Sequence, residues 1–269
     1  MDPLIPNGPV IHSGSTPAPA FGALSLVGQR AVVTGAGRGI GRAAAEKLAA
    51  RGAEVVLIAR SPNEIEDLAS AIILTGGRAH ALPVDVTDDD ALDRAFAELR
   101  HADILVNSAG TNRPKPLVDV TANDLDVLLD LNVRSVLRVT QLFVRQALAR
   151  NAGGVIVNVS SQMGHVGAPN RTLYCATKHA VEGFTKALAV ELATVGIRVV
   201  SVAPTFIETP MSEPFLADPQ ARASIVGKIP IGRVGGVDEV AELIAFLASP
   251  AATLVTGSSV LADGGWVAQ

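Results

Sequence analysis

Only one cysteine, Cys175, occurs among the 269 residues. That excludes an internal disulfide and any metal site built from several thiolates, so no metal is expected. It is compatible with a reducing compartment such as the cytoplasm. An excess of one charge is also lacking. The 22 basic residues stand against 26 acidic ones, a net charge of -4. Such a balance gives no electrostatic footprint for nucleic acid or an acidic membrane surface. No apolar run approaches the roughly 18 residues of a membrane-spanning helix. The amino terminus has no charged segment leading into an apolar core, so it does not read as a secretory signal. Tyrosine is as scarce as cysteine, with Tyr174 the only one.

What is present is an apolar chain, 48% hydrophobic, long enough for one large domain with a sizeable core. Residues 1–27 carry Pro3, Pro6, Pro9, Pro17 and Pro19 without helix or strand periodicity, and read as a flexible arm. From residue 28 onward, strand and helix alternate. Strand patterns cover 30–34, 54–59, 79–84, 103–106, 155–159, 197–203 and 258–262. Helical patterns cover 42–50, 63–75, 88–100, a long run 121–150, then 176–192 and 237–248. A proline-punctuated segment at 205–236 reads as a lid. No repeat or second composition interrupts the alternation. It predicts one α/β domain over 28–269, a doubly wound sheet of about seven parallel strands flanked by helices. The ligand crevice then lies at the carboxyl ends of the strands, where Gly35, Asp85, Asn107 and Ser161 fall.

Two stretches carry chemistry. In the first, Gly35, Gly39 and Gly41 stand between a strand and a helix. Glycines there permit a tight turn and close approach of backbone to a pyrophosphate, which the helix N-terminus then faces. In the second, Tyr174 and Lys178 are four apart, so on a helix they share a face. An ammonium beside a phenol favours the phenolate, a condition for acid–base work. Ser161, at a strand end, can reach the same substrate oxygen. The plainer reading is a surface tyrosine and a solvated lysine.

Taken together, Thr34-Gly-x-x-x-Gly-x-Gly41, Asn107-x-Ala-Gly110, Asn132, Ser161, Tyr174-x-x-x-Lys178 and Asp263-Gly-Gly265 resemble the short-chain dehydrogenases/reductases over about residues 26–269. The resemblance implies a Rossmann-type fold, a nicotinamide cofactor and a homotetramer. It implies Tyr174 as catalytic acid/base, Ser161 as the group polarising the substrate oxygen, and Lys178 on the nicotinamide ribose. Asn132 would hold a water of the proton relay. The cofactor would be bound by Gly35, Arg38, Gly39, Ile40, Gly41, Arg60, Asp85, Val86, Asn107, Ala109, Gly110, Tyr174, Lys178, Pro204, Ile207 and Thr209. Two departures stand out: Ser108 in place of a second asparagine, and Thr205 where glycine is common.

The end of the second strand reads Ala59-Arg60, with Arg38 in the glycine loop and no carboxylate between them. Two guanidiniums suit a 2′-phosphate, so NADP(H) is expected over NAD(H). The other reading makes both solvated surface arginines. For the substrate, Arg113, Gln162 and Arg171 are the candidate contacts. Their polarity fits a sugar acid or polyol, as in gluconate 5-dehydrogenase-like members. A 3-oxoacyl-acyl-carrier-protein reductase is the alternative enzyme. A non-catalytic nucleotide-sensing protein on the same fold is the alternative of another class.

Overall fold

The computed structural model describes residues 21–269. The expected arm therefore lies mostly outside the described residues. Its last residues do not: a 3-10 turn covers Phe21–Leu24, Leu26 is fully buried, and its N–H donates to the Arg51 carbonyl at 2.8 Å. The domain thus starts before residue 28, because a single leucine anchors a stretch that has no periodicity of its own.

Seven parallel strands form one sheet in the order β3-β2-β1-β4-β5-β6-β7. They are β1 (Arg30–Thr34), β2 (Glu54–Ala59), β3 (Arg78–Pro83), β4 (Ile104–Asn107), β5 (Gly154–Val159), β6 (Ile197–Pro204) and β7 (Ser259–Ala262). The five inner strands are mostly apolar because both faces are covered, whereas the edge strand β3 exposes Arg78 and His80. Successive side chains enter opposite cores. Val33, Val55, Val106, Val157 and Val200 pack on one side; Val32, Val56, Leu105, Ile156 and Val199 pack on the other.

The first core is closed by α1 (Gly39–Ala50), α2 (Pro62–Leu74) and α9 (Val237–Ala248). Alanines on α1 and α9 let these two helices approach closely. The second core is closed by α3 (Asp89–Glu98), α5 (Ser135–Ala149) and α6 (Thr172–Leu192). Between β4 and α5 lies α4 (Ala122–Leu129), opened by a capping box of Thr121 with Asp124. The long helix expected at 121–150 is not uniform: a π turn at Asp130–Arg134 widens it around Asn132. After β6, the short helices α7 (Glu213–Leu216) and α8 (Pro219–Val226) build the lid around a small core of Leu216, Ile229 and Val234. Among the described residues no helix is long and apolar enough to cross a membrane.

Candidate active site

The strand order reverses at β1, between β2 and β4, and a cleft of about 470 Å³ opens beyond the strand ends there. Its floor is the glycine loop. Gly35 has φ +66°, and a Cβ on it would stand 2.8 Å from the Ala109 backbone. A Cβ on Gly41 would overlap the Gly35 carbonyl oxygen. Both positions therefore exclude a side chain. The loop delivers the first turn of α1, with its unpaired N–H groups, to the cleft. The helix begins at Gly39, three residues earlier than its apolar pattern indicated.

Gly35, Arg38, Gly39, Ile40 and Gly41 all line this floor. Arg60, Asp85 and Val86 line its far end, and Ala109 and Gly110 the wall beside it. Arg38 and Arg60 are exposed. The Asp85 carboxylate accepts from the Thr87 N–H (3.0 Å) and hydroxyl (2.8 Å), closing the turn after β3. The structure also places a carboxylate where the sequence reading found none. Glu64, on the first turn of α2, lies against Gly37 so closely that a Cβ there would overlap its Oε2. Its distance along the chain from β2 hid it.

The other end of the cleft gathers Ser161, Tyr174 and Lys178. Ser161 follows β5, and its Oγ accepts from the Met163 N–H at 3.1 Å, capping a one-turn 3-10 helix. Tyr174 and Lys178 stand one turn apart near the start of α6. Lys178 Nζ lies 5.7 Å from the Tyr174 ring centroid and donates to the Val159 carbonyl at 2.9 Å. Burial pushes the Tyr174 phenol up to about 12, against the pull of the Ser161 hydroxyl and the Arg171 guanidinium. Burial likewise takes Lys178 down to about 8, with Glu182 acting the other way. Desolvation thus outweighs the Ser161 and Arg171 contributions, and the phenol lies above its ordinary value rather than below it as expected.

Three expected site residues are not in the cleft wall. Asn107 is buried within the sheet, donating from Nδ2 to Thr140 Oγ1 (3.0 Å) and Asn158 Oδ1 (2.9 Å). Asn132 stands one layer behind: its Oδ1 accepts from the Thr111 N–H, and its Nδ2 donates to the Thr111 carbonyl, each at 2.9 Å. It holds the backbone that follows Gly110. Arg113 donates to Asp124 at 3.2 Å, beside Lys115, which takes the other carboxylate oxygen at 2.5 Å. Asp124 is nearly fully buried, and a buried anion captures the nearest cations.

Arg171 does line the cleft, half-buried, with its guanidinium 4.7 Å from the centre of the Phe215 ring on α7. Gln162, Pro204, Ile207 and Thr209 complete the wall. The Thr209 methyl would lie 3.4 Å from a Cβ on Gly39, so the start of the lid touches the glycine loop. Four buried polar atoms on this wall have no partner: Asn112 Oδ1, Ser160 Oγ, Gln162 Nε2 and Thr205 Oγ1. Ser160 carries no sequence signal beyond adjacency to Ser161, and Thr205 none beyond its departure from the common glycine.

Residues 35–267 match the family model described as enoyl-(acyl carrier protein) reductase. Among characterised relatives, L-xylulose reductase of Bos taurus is 40% identical over 245 residues, 91% of this chain and 99% of its own. The 3-oxoacyl-acyl-carrier-protein reductase of Salmonella typhimurium is 39% identical over 246 residues, 90% of this chain and 98% of its own. Among solved structures, gluconate 5-dehydrogenase from Burkholderia cenocepacia, in complex with NADP and tartrate, superposes with a TM-score of 0.90 at 33% identity. That match covers 93% of this chain and 100% of the other. The glycine floor, the Ser161–Tyr174–Lys178 corner and these matches agree: the chain belongs to the short-chain dehydrogenase/reductase family of oxidoreductases.

Proposed function

We propose that the protein interconverts a secondary alcohol and a ketone on a sugar acid or polyol, using NADP(H). The observation that carries this is the meeting of the glycine floor with Ser161, Tyr174 and Lys178 in one cleft. The cleft fits a dinucleotide. Gly35 and Gly41 leave no room for a Cβ, the α1 N-terminus faces the floor, and Arg38 and Arg60 stand at the end where an adenosine would lie. When bound, the nicotinamide supplies the hydride acceptor or donor. Lys178 would reach its ribose, and Pro204, Ile207 and Thr209 would close over it.

The chain's own groups move the proton. In ketone reduction Ser161 donates a hydrogen bond to the carbonyl oxygen, and Tyr174 gives that oxygen its proton as the carbon becomes tetrahedral. A phenol near 12 still transfers readily to an alkoxide, which is far more basic. In oxidation the flow reverses. Lys178, as an ammonium, stabilises the phenolate left behind. Asn132 takes part by fixing the Thr111 backbone at the cleft wall.

At the substrate end, Arg171 is the cation available to an anionic or polyhydroxy substrate, since Asp124 holds Arg113. The 39% identity to a 3-oxoacyl-acyl-carrier-protein reductase favours the second enzyme reading, a thioester-borne ketone. A sensing protein without catalysis has less support, because Ser161, Tyr174 and Lys178 are all present together. The assembly we favour is a homotetramer, and a cytoplasmic setting suits a chain with one cysteine. The test is a panel of sugar acids, ketoses, polyols and a 3-oxoacyl thioester, each with NADP(H) and NAD(H). Turnover confined to the thioester would select the second reading. No turnover on any of them, with nucleotide bound, would select the sensor.

A further inference from the structure

Helix α6 carries Tyr174, Lys178 and Glu182 at successive turns. Glu182 is 4% exposed. Its carboxylate accepts hydrogen bonds from Ser201 Oγ on β6 (2.7 Å) and Ser259 Oγ on β7 (3.1 Å). His165 Nε2 lies 3.4 Å from the same carboxylate and 2.8 Å from Ser259 Oγ. His165 ends the one-turn helix that Ser161 caps. Between them, a Cβ on Gly164 would stand 2.9 Å from Glu182 Cγ and 3.0 Å from Ser160 Oγ. One buried carboxylate therefore touches β6, β7 and the Ser161 loop from the helix that bears Tyr174 and Lys178.

We propose that Glu182 is a positioning residue: its carboxylate ties α6 to β6 and β7 one turn from Lys178, and with His165 and Ser259 it holds the Ser161 loop against that helix. A buried anion is expensive to keep, and an apolar side chain of similar volume would fill the space. Among the described residues no lysine or arginine forms an ion pair with Glu182. The cation that its field serves is Lys178, one turn away, which burial would otherwise push further toward neutrality. The groups facing this assembly are few. β6 and β7 present the two serine hydroxyls, the Ser161 loop presents His165, and α6 presents Lys178, with Arg171 and Cys175 beyond Tyr174.

This rests on Tyr174 and Lys178 as the proton-transfer pair, and the experiment separates the two claims. Removing a negative charge favours proton loss from both groups, so every limb of the kcat/KM–pH profile that they govern moves to lower pH. Glu182→Gln should shift those limbs by about one unit, the scale of a nearby buried charge. His165→Lys places a permanent cation against the carboxylate at a partly exposed site, and should shift them the same way. Glu182→Asp should return them toward the wild-type position. Optical titration of Tyr174, the only tyrosine, reads the same shift without depending on turnover. Folded Glu182→Gln and His165→Lys proteins whose limbs and phenol titration stay in place would overturn the proposal, even if turnover falls. Loss of the pH effect with Tyr174→Phe still active would instead implicate the underlying assignment of Tyr174.

Discussion

At the scale of single residues, environment decides what a side chain can do. Tyr174 and Lys178 were legible from their spacing, yet the direction of the phenol's shift was not, because burial is invisible in a motif. The folded protein holds the phenolic proton more tightly than the unfolded chain does. Stability should therefore fall as pH rises from 10.0 toward about 12, the span between the ordinary and the folded values. Optical titration of the free protein should show no phenolate until that upper range; ionisation near 10 would mean a solvated tyrosine. Arg113 and Arg171 looked equivalent in the sequence. The buried Asp124 separates them, since it takes Arg113 and leaves Arg171 on the cleft wall. Arg171→Met should therefore impair a sugar acid more than its uncharged analogue, by about 1.5–3 kcal/mol in transition-state stabilisation. An equal effect on both substrates would make Arg171 a rim residue. Cofactor choice rests on a similar contest. Arg60→Ala should weaken NADP by about tenfold, toward the low end for a charge-assisted hydrogen bond because the arginine is exposed. Glu64→Gln should strengthen NADP more than NAD, since the 2′-phosphate adds to the negative charge that this carboxylate repels. Isothermal titration with both nucleotides checks the pair of variants.

At the scale of elements, alternation of strand and helix was readable because the inner strands are apolar on both faces and the helices that cover them carry an apolar stripe. The interruptions were not. The π turn at Asp130–Arg134 follows from no breaker residue; it accommodates Asn132, whose partners lie far along the chain at Thr111 and Thr177. Asn107 was misplaced for the same reason. It looked like part of a cofactor motif, and it is the start of a buried ladder. Its Nδ2 donates to Thr140 and Asn158, Asn158 donates to Thr185 at 2.9 Å, and Thr185 donates to the Val181 carbonyl at 2.8 Å. The ladder fastens β4 and β5 to α5 and α6. Asn107→Ala orphans buried partners and should lower unfolding stability by about 1–3 kcal/mol. Below the melting transition, nucleotide affinity should be unchanged. A selective loss of affinity without a loss of stability would return Asn107 to the cofactor site.

At the scale of the whole molecule, the glycine floor, the proton-transfer corner and the lid come from segments far apart in sequence, and the sheet's switch point gathers them. The outer faces of α5 and α6 form a groove with Leu137, Val144, Phe184 and Leu188, edged by Arg134, Arg138 and Glu191. An apolar strip with a charged rim suits a second copy of the chain. Light scattering at micromolar concentration should give the mass of a homotetramer, and a monomer would refute that assembly. The account as a whole turns on Tyr174. The most direct measurement is turnover of wild-type and Tyr174→Phe protein on the substrate panel, with nucleotide affinity measured alongside. The predicted result is hydride transfer to or from NADP(H) by the wild type, reduced roughly a hundredfold or more in the variant, with nucleotide binding nearly unchanged. Wild-type turnover that survives in Tyr174→Phe would contradict it.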